Sequence, residues 1–200
     1  MEQRGVWFTA KDGRRVLLRS LAKGDVGAMT RFANALVREK KANRGLGVAT
    51  FDKRVDRKTE AEFLGKLVTA RAKREGANCA AFAEGEMVGE CTLNRRPLAD
   101  FRHTGVLGIV VLAGYRGVGL GERLMAEVLR DAVRMGVWLV ELDVVADNGP
   151  AIRLYEKLGF RRVGTIPNKV LRDGKHGDIV AMYADLRGTD KSIFGRRGPG

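Results

Sequence analysis

The feature that most constrains this chain lies past its midpoint. A β-branched run, Gly105 to Leu112, leads into Ala113-Gly114-Tyr115-Arg116-Gly117-Val118-Gly119-Leu120-Gly121 and then into a helical pattern. Alternating glycines at a strand-to-helix junction permit a tight turn and leave the first helical amides open to an approaching anion. Those amides carry the positive end of the helix dipole, about half a unit charge, which suits a phosphate or diphosphate. Arg116 adds donors matched to phosphate oxygens. The same glycines serve equally as a plain tight turn, so the surrounding residues must decide. A nucleotide-triphosphate loop needs Gly-Lys-Ser/Thr, whereas Gly121 is followed by Glu122 and Arg123. A dinucleotide fold needs Gly-x-Gly-x-x-Gly and an acid ~20 residues later. Glu141 or Asp143 could supply the acid, but the glycine spacing is wrong and too little chain follows to complete a doubly wound sheet.

Around this junction the pattern is that of one α/β (α+β) domain over residues 1–187, followed by a basic, Gly-rich, mobile tail over 188–200. Val6 to Ala10 and Val16 to Ser20 flank Lys11-Asp12-Gly13 and predict an opening hairpin. Asp25 reads as the cap of a helix whose stripe is Met29, Phe32, Ala33, Leu36 and Val37, ended by the glycine-bearing stretch from Ala42 to Thr50. A second helix is expected from Asp56 or Thr59 to Arg74, closed by Gly76. Asn78 to Ala83 and Met87 to Leu93 predict antiparallel strands. A three-residue loop Glu84-Gly85-Glu86 would set Cys79 opposite Cys91, close enough to bond. Gly105 to Leu112 suits a central strand buried on both faces. A helix over Gly117 to Met135, a strand over Trp138 to Val145 and a helix over Asn148 to Leu158 follow, with Phe160 to Gly164 and Ile179 to Leu186 as the last strands.

Composition narrows the class. A chain of 200 residues with 44% hydrophobic and 30% charged residues forms one ordinary globular domain. Its longest apolar run, Leu107 to Leu112, is far short of the ~20 residues that span a bilayer, and Met1-Glu2-Gln3-Arg4 opens no signal-peptide core. A soluble, cytoplasmic protein is therefore expected. Two cysteines without neighbouring ligands at metal spacing indicate neither a metal site nor a disulfide framework. The formal net charge of +13 attracts phosphates, nucleic acid or ribosome surfaces, although the cations form no block.

Arg116-Gly117-Val118-Gly119-Leu120-Gly121 resembles the Arg/Gln-x-x-Gly-x-Gly/Ala signature of the GNAT superfamily of N-acetyltransferases. Asn148-Gly149-Pro150-Ala151-Ile152-Arg153-Leu154-Tyr155-Glu156-Lys157-Leu158-Gly159-Phe160 resembles that family's Asn-x-x-Ala-x-x-Leu-Tyr-x-x-x-Gly-Phe segment, in the expected order and separation. The close match covers about residues 107 to 164. The resemblance implies a mixed, mostly antiparallel central sheet of about seven strands flanked by about four helices, with acetyl-CoA as co-substrate and no metal. It implies a diphosphate on Arg116, Gly117, Val118, Gly119, Leu120 and Gly121, and a pantetheine arm along Ile109, Val110 and Val111 where the central strand splays from its parallel neighbour. An N–H of Val111 or Ile109 would face the thioester oxygen. Tyr155 would be the general acid toward the leaving thiolate, with helix-face packing as its plainer role, and Asn148 would bond the arm, cap the helix, or both.

The residue that takes the amine's proton is less defined. Glu90 and His103 are candidates, with Asp100 and Glu141 also within reach of the expected acceptor side. The acceptor itself should be governed by Arg38 to Lys58 and Asn94 to Thr104, whose cations would favour acidic, neutral or zwitterionic amines, such as an amino acid, a protein N-terminus or a lysine on an acidic surface, over a polyamine or an aminoglycoside. The rival reading is a nucleic-acid- or ribosome-binding module that keeps the fold without the chemistry. Neither reading chooses between monomer and homodimer.

Overall fold

The computed structural model describes residues 5–42, 53–172 and 174–187. The glycine-bearing stretch after the first helix and the C-terminal tail fall almost wholly outside them. The described chain forms one eight-stranded sheet, one strand more than the expected seven, with four α-helices. In chain order the elements are β1 (Val6–Thr9), β2 (Arg15–Arg19), α1 (Val26–Ala42), α2 (Arg57–Ala72), β3 (Gly76–Ala83), β4 (Glu86–Arg95), β5 (Thr104–Val111), α3 (Leu120–Arg134), β6 (Leu139–Val145), α4 (Gly149–Lys157), β7 (Arg161–Arg172) and β8 (Lys175–Asp185). The sheet order is β1-β2-β3-β4-β5-β6-β8-β7, and every pairing is antiparallel except β5 with β6.

Two apolar layers sandwich this sheet. On one face α1 and α2 bury Met29, Phe32, Leu36, Leu64 and Leu67 against Ala80, Phe82 and Met87. On the other, the stripe Leu120, Leu124, Val128 and Ala132 of α3 joins Ile152 and Tyr155 of α4 over Val88, Cys91 and Leu107. The 3.6-residue period of each helix lays one stripe against a sheet face, so burial rather than propensity holds the helices in place.

Several local expectations change. Asp25 does not cap α1. It ends a 3-10 turn at Lys23–Asp25, where its carboxylate accepts from the Ala22 amide at 2.7 Å and from both terminal nitrogens of Arg19. Asp56 rather than Thr59 caps α2, accepting from the Thr59 amide at 2.8 Å. β5 is not buried on both faces: Val106 is 39% exposed and the strand's second half is only partly covered. The last two strands are longer than expected because β7 is the sheet's edge, nearly all exposed, and therefore carries no apolar alternation to mark it. Pro167 sits there in an irregularity between Ile166 and Val170, a position an edge strand tolerates.

The β3–β4 hairpin meets its expected register by a different route. Its loop has two residues, Glu84 and Gly85, both at positive φ (51° and 82°), the conformation of a type I′ turn. A bulge then inserts one residue into β4, since Ala81 pairs with Gly89 while Phe82 pairs with Met87. The short loop and the bulge together place Cys79 opposite Cys91, but both are free, buried thiols.

Candidate active site

The parallel pairing of β5 and β6 covers only Thr104, Gly105 and Val106, opposite Leu139, Val140 and Glu141. Beyond it the strands part while β5 remains paired with β4 up to Val111. The Leu112 amide donates to Val88 on β4, and strand alternation turns the amides of Val111 and Ile109 the other way, into the gap. A cavity of about 1070 Å³ occupies this gap. Its lining includes Met29, Phe32 and Phe63 from one helical layer and Gly121, Leu154 and Tyr155 from the other, so it crosses the sheet.

At one end lies the glycine turn. Gly117 and Gly119 hold φ of 75° and 87°, which side-chain-bearing residues rarely adopt, and Gly119 caps α3 without offering any side chain. Arg123 is the first residue whose amide reaches a carbonyl there, that of Gly119, which leaves the Leu120, Gly121 and Glu122 amides open. Arg116 does not simply project toward a phosphate. Its Nε donates to the Val111 carbonyl and its Nη2 to Glu39 of α1, both at 2.7 Å. Glu39 also accepts from the Ala113 amide at 2.7 Å, so the pair fastens the turn to α1. The β1–β2 loop supports the turn from outside: the Lys11 amide donates to the Val118 carbonyl at 3.1 Å, and Arg14 stacks 4.0 Å over the Tyr115 ring. A Cβ on Gly119 would stand 3.8 Å from Lys11 Cε, so the Lys11 side chain lies against the turn, a contact the sequence did not reveal.

Tyr155 lines the cavity from α4 and is 8% exposed. Burial, with the nearby Cys91 thiol adding to it, pushes its phenol up to about 12. Its ring packs on Phe160 at 6.0 Å, so the packing role anticipated for it is real, and the cavity position adds to it. Asn148 caps α4 by accepting from the Ala151 amide at 3.3 Å while also lining the cavity.

Toward α1 and α2 the cavity meets two carboxylates. Glu90 of β4 is 9% exposed, and burial together with the charge of Glu60 raises it to about 7. Its Oε1 has no hydrogen-bond partner. Glu60 in the first turn of α2 is 2% exposed and is raised by burial. The sequence marks Glu60 only as one polar residue in a helix start. Its inward direction depends on how α2 docks.

The other proton-acceptor candidates lie elsewhere. His103 stacks on Trp138 at 4.4 Å, and its carbonyl accepts from the Trp138 and Leu139 amides, so it locks the start of the parallel pair. Glu141 pairs with Arg96 at 2.6 Å. Asp100 is exposed in a 3-10 turn, and none of the three lines the cavity. No residue of 94–104 lines it either, so the cations expected there do not form its rim. The cationic stretch after α1 lies largely outside the described residues.

A family model described as the acetyltransferase (GNAT) family matches residues 38–160. The L-amino acid N-acetyltransferase AaaT of Escherichia coli (strain K12) is 32% identical over 106 residues, 51% of this chain and 64% of its own length, so the match spans under two thirds of that relative. Among solved structures, ribosomal-protein-alanine N-acetyltransferase from Brucella melitensis superposes with a TM-score of 0.72 at 26% identity, covering 85% of this chain and 99% of its own. YncA from Salmonella typhimurium, solved with its cofactor acetyl-CoA, gives a TM-score of 0.71 at 23% identity over 86% of this chain and 94% of its own, a likeness of fold.

Proposed function

We propose, since the chain belongs to the acetyltransferase (GNAT) family, that it transfers an acetyl group from acetyl-CoA to a primary amine by direct attack in a ternary complex. The observation that carries this reading is the sheet-crossing cavity, with open helix amides and a buried tyrosine on one side and a buried glutamate on the other. Bound acetyl-CoA would supply an activated carbonyl and a thiolate leaving group. Open amides at Leu120, Gly121 and Glu122 suit its diphosphate, with the Lys11 side chain against the same turn, while Arg116 keeps the turn in shape. The Ile109 and Val111 amides would donate to the thioester oxygen as its charge grows.

Glu90 is the residue we assign to take the amine's proton. A carboxylate near 7 is ionised in about half the molecules at neutral pH and is a stronger base than an exposed one. Tyr155 keeps its proton throughout the working range. Full transfer from a phenol near 12 to a thiolate of ordinary pKa ~8.5 would be uphill by about 5 kcal/mol. Its contribution is therefore a hydrogen bond that strengthens as charge builds on the departing sulfur. The test is thiol release from acetyl-CoA with a panel of primary amines, alongside the melting temperature at saturating acetyl-CoA. Thiol release dependent on acceptor and a raised melting temperature are expected; absence of both overturns the reading.

A further inference from the structure

Buried carboxylates are ordinarily paired with a cation, because water no longer offsets their charge. Among the described residues Glu60 and Glu90 have none, although they are 2% and 9% exposed. The other charged side chains of the same cavity are all matched: Arg116 with Glu39, Lys169 with Asp143, Glu122 with Lys157. The α1 and α2 residues that line the cavity with Glu60 are apolar, Met29, Phe32 and Leu36 of α1 and Phe63 of α2 among them.

We propose that Glu60 and Glu90 together form the ammonium site for the acceptor, selecting a singly charged primary amine on an apolar, uncharged body. This rests on the acetyltransferase reading and deepens it. Glu90 receives the proton. Glu60 holds the ammonium in place beforehand, acting as a positioning residue. An α-carboxylate beside the amine would face two buried acids, and both cations of the cavity already have partners, so nothing would offset it. A polyamine would have to lay its second charge along α1, whose one acid, Glu39, is already paired with Arg116. The upward shift of both carboxyls by burial is the mark of the same missing cation. Of the ionisable groups lining the cavity (Arg116, Glu122, Asp143, Tyr155, Lys169 and Glu60), only Glu60 acts on Glu90 through its charge.

The probes are 3-methylbutylamine, L-leucine, which is the same body plus a carboxylate, and spermidine. In thiol-release assays the unmodified protein should favour 3-methylbutylamine over both by at least tenfold in kcat/KM. Glu60→Gln should raise its KM at least tenfold with kcat within threefold and the acetyl-CoA KM unchanged. The acid limb of kcat/KM should move to lower pH, because a neighbouring negative charge is gone. Glu60→Asp, which retains the charge, should recover part of the loss and stands in if the Gln variant fails to fold. Calorimetric binding of 3-methylbutylamine in the presence of coenzyme A reads the same preference independently of turnover. Leucine or spermidine as the preferred ligand, or an unchanged KM and pH limb in Glu60→Gln, overturns the inference. Full activity of Glu90→Gln would instead remove the proton-acceptor assignment, and loss of thiol release with binding intact would remove the transfer reading.

Discussion

The two walls of the cavity are built from different materials. On the coenzyme side the working groups are backbone amides, held by the positive φ of Gly117 and Gly119 and by the parting of β5 from β6. On the acceptor side they are the side chains of Glu60 and Glu90, from a helix and a strand distant in sequence, brought together by packing. A backbone site is written as spacing within one short segment. A side-chain site assembled across layers is written only in the tertiary fold.

The largest test of this contrast is Glu90→Gln. It should lower kcat by roughly a hundred- to a thousandfold while leaving acetyl-CoA affinity unchanged, checked by steady-state kinetics and calorimetry. The same variant should reveal a cost in stability. The folded-state pKa of Glu90 lies above its unfolded value of 4.5, so the stability it contributes is fully present below about 4.5 and is lost as pH rises through about 7. The rise from 4.5 to about 7 corresponds to about 3 kcal/mol. Glu90→Gln should therefore be more stable than the unmodified protein at pH 8 and nearly equal to it at pH 4.5, as read by urea unfolding. Tyr155→Phe should lower kcat by about ten- to a hundredfold, the worth of a hydrogen bond to a charged atom, with coenzyme binding intact. Gly119→Ala should weaken acetyl-CoA by about tenfold through backbone strain and leave the acceptor KM unchanged, which would show the walls to be separable. Smallest is the coupling between Arg116 and Glu39, about 1 kcal/mol in a double-mutant cycle of thermal unfolding, since both are partly exposed.

What the sequence disclosed follows the same division. The order of elements, the glycine turn and the inward Tyr155 were legible because each lies in one periodic or glycine-marked segment. Glu90 could be named but not separated from His103 and Glu141, since polarity on a strand says nothing about which neighbours it meets. His103 is taken up by Trp138 and Glu141 by Arg96, pairings between residues at least 35 positions apart. Glu60 was invisible because α2 carries polar residues on both sides of its stripe, and docking alone decides which of them turns inward. The length of β7 was missed for a simpler reason: an exposed edge strand has no apolar period.

The extra residue in β4 has a reach beyond its hairpin. Met87 faces the α1–α2 layer, whereas Val88 faces the α3 layer and a Cβ on Gly89 would stand 3.1 Å from Leu124 there; Glu90 then points back toward Glu60. Strict alternation from Met87 would have aimed Glu90 at α3 instead. Flattening the bulge by a one-residue slip of register, with every residue kept, would change no chemical group of the cavity, yet would readdress its carboxylate to the opposite side of the molecule. Acceptor chemistry in this chain is thus adjustable by a shift in reading along a strand, with the coenzyme wall left untouched.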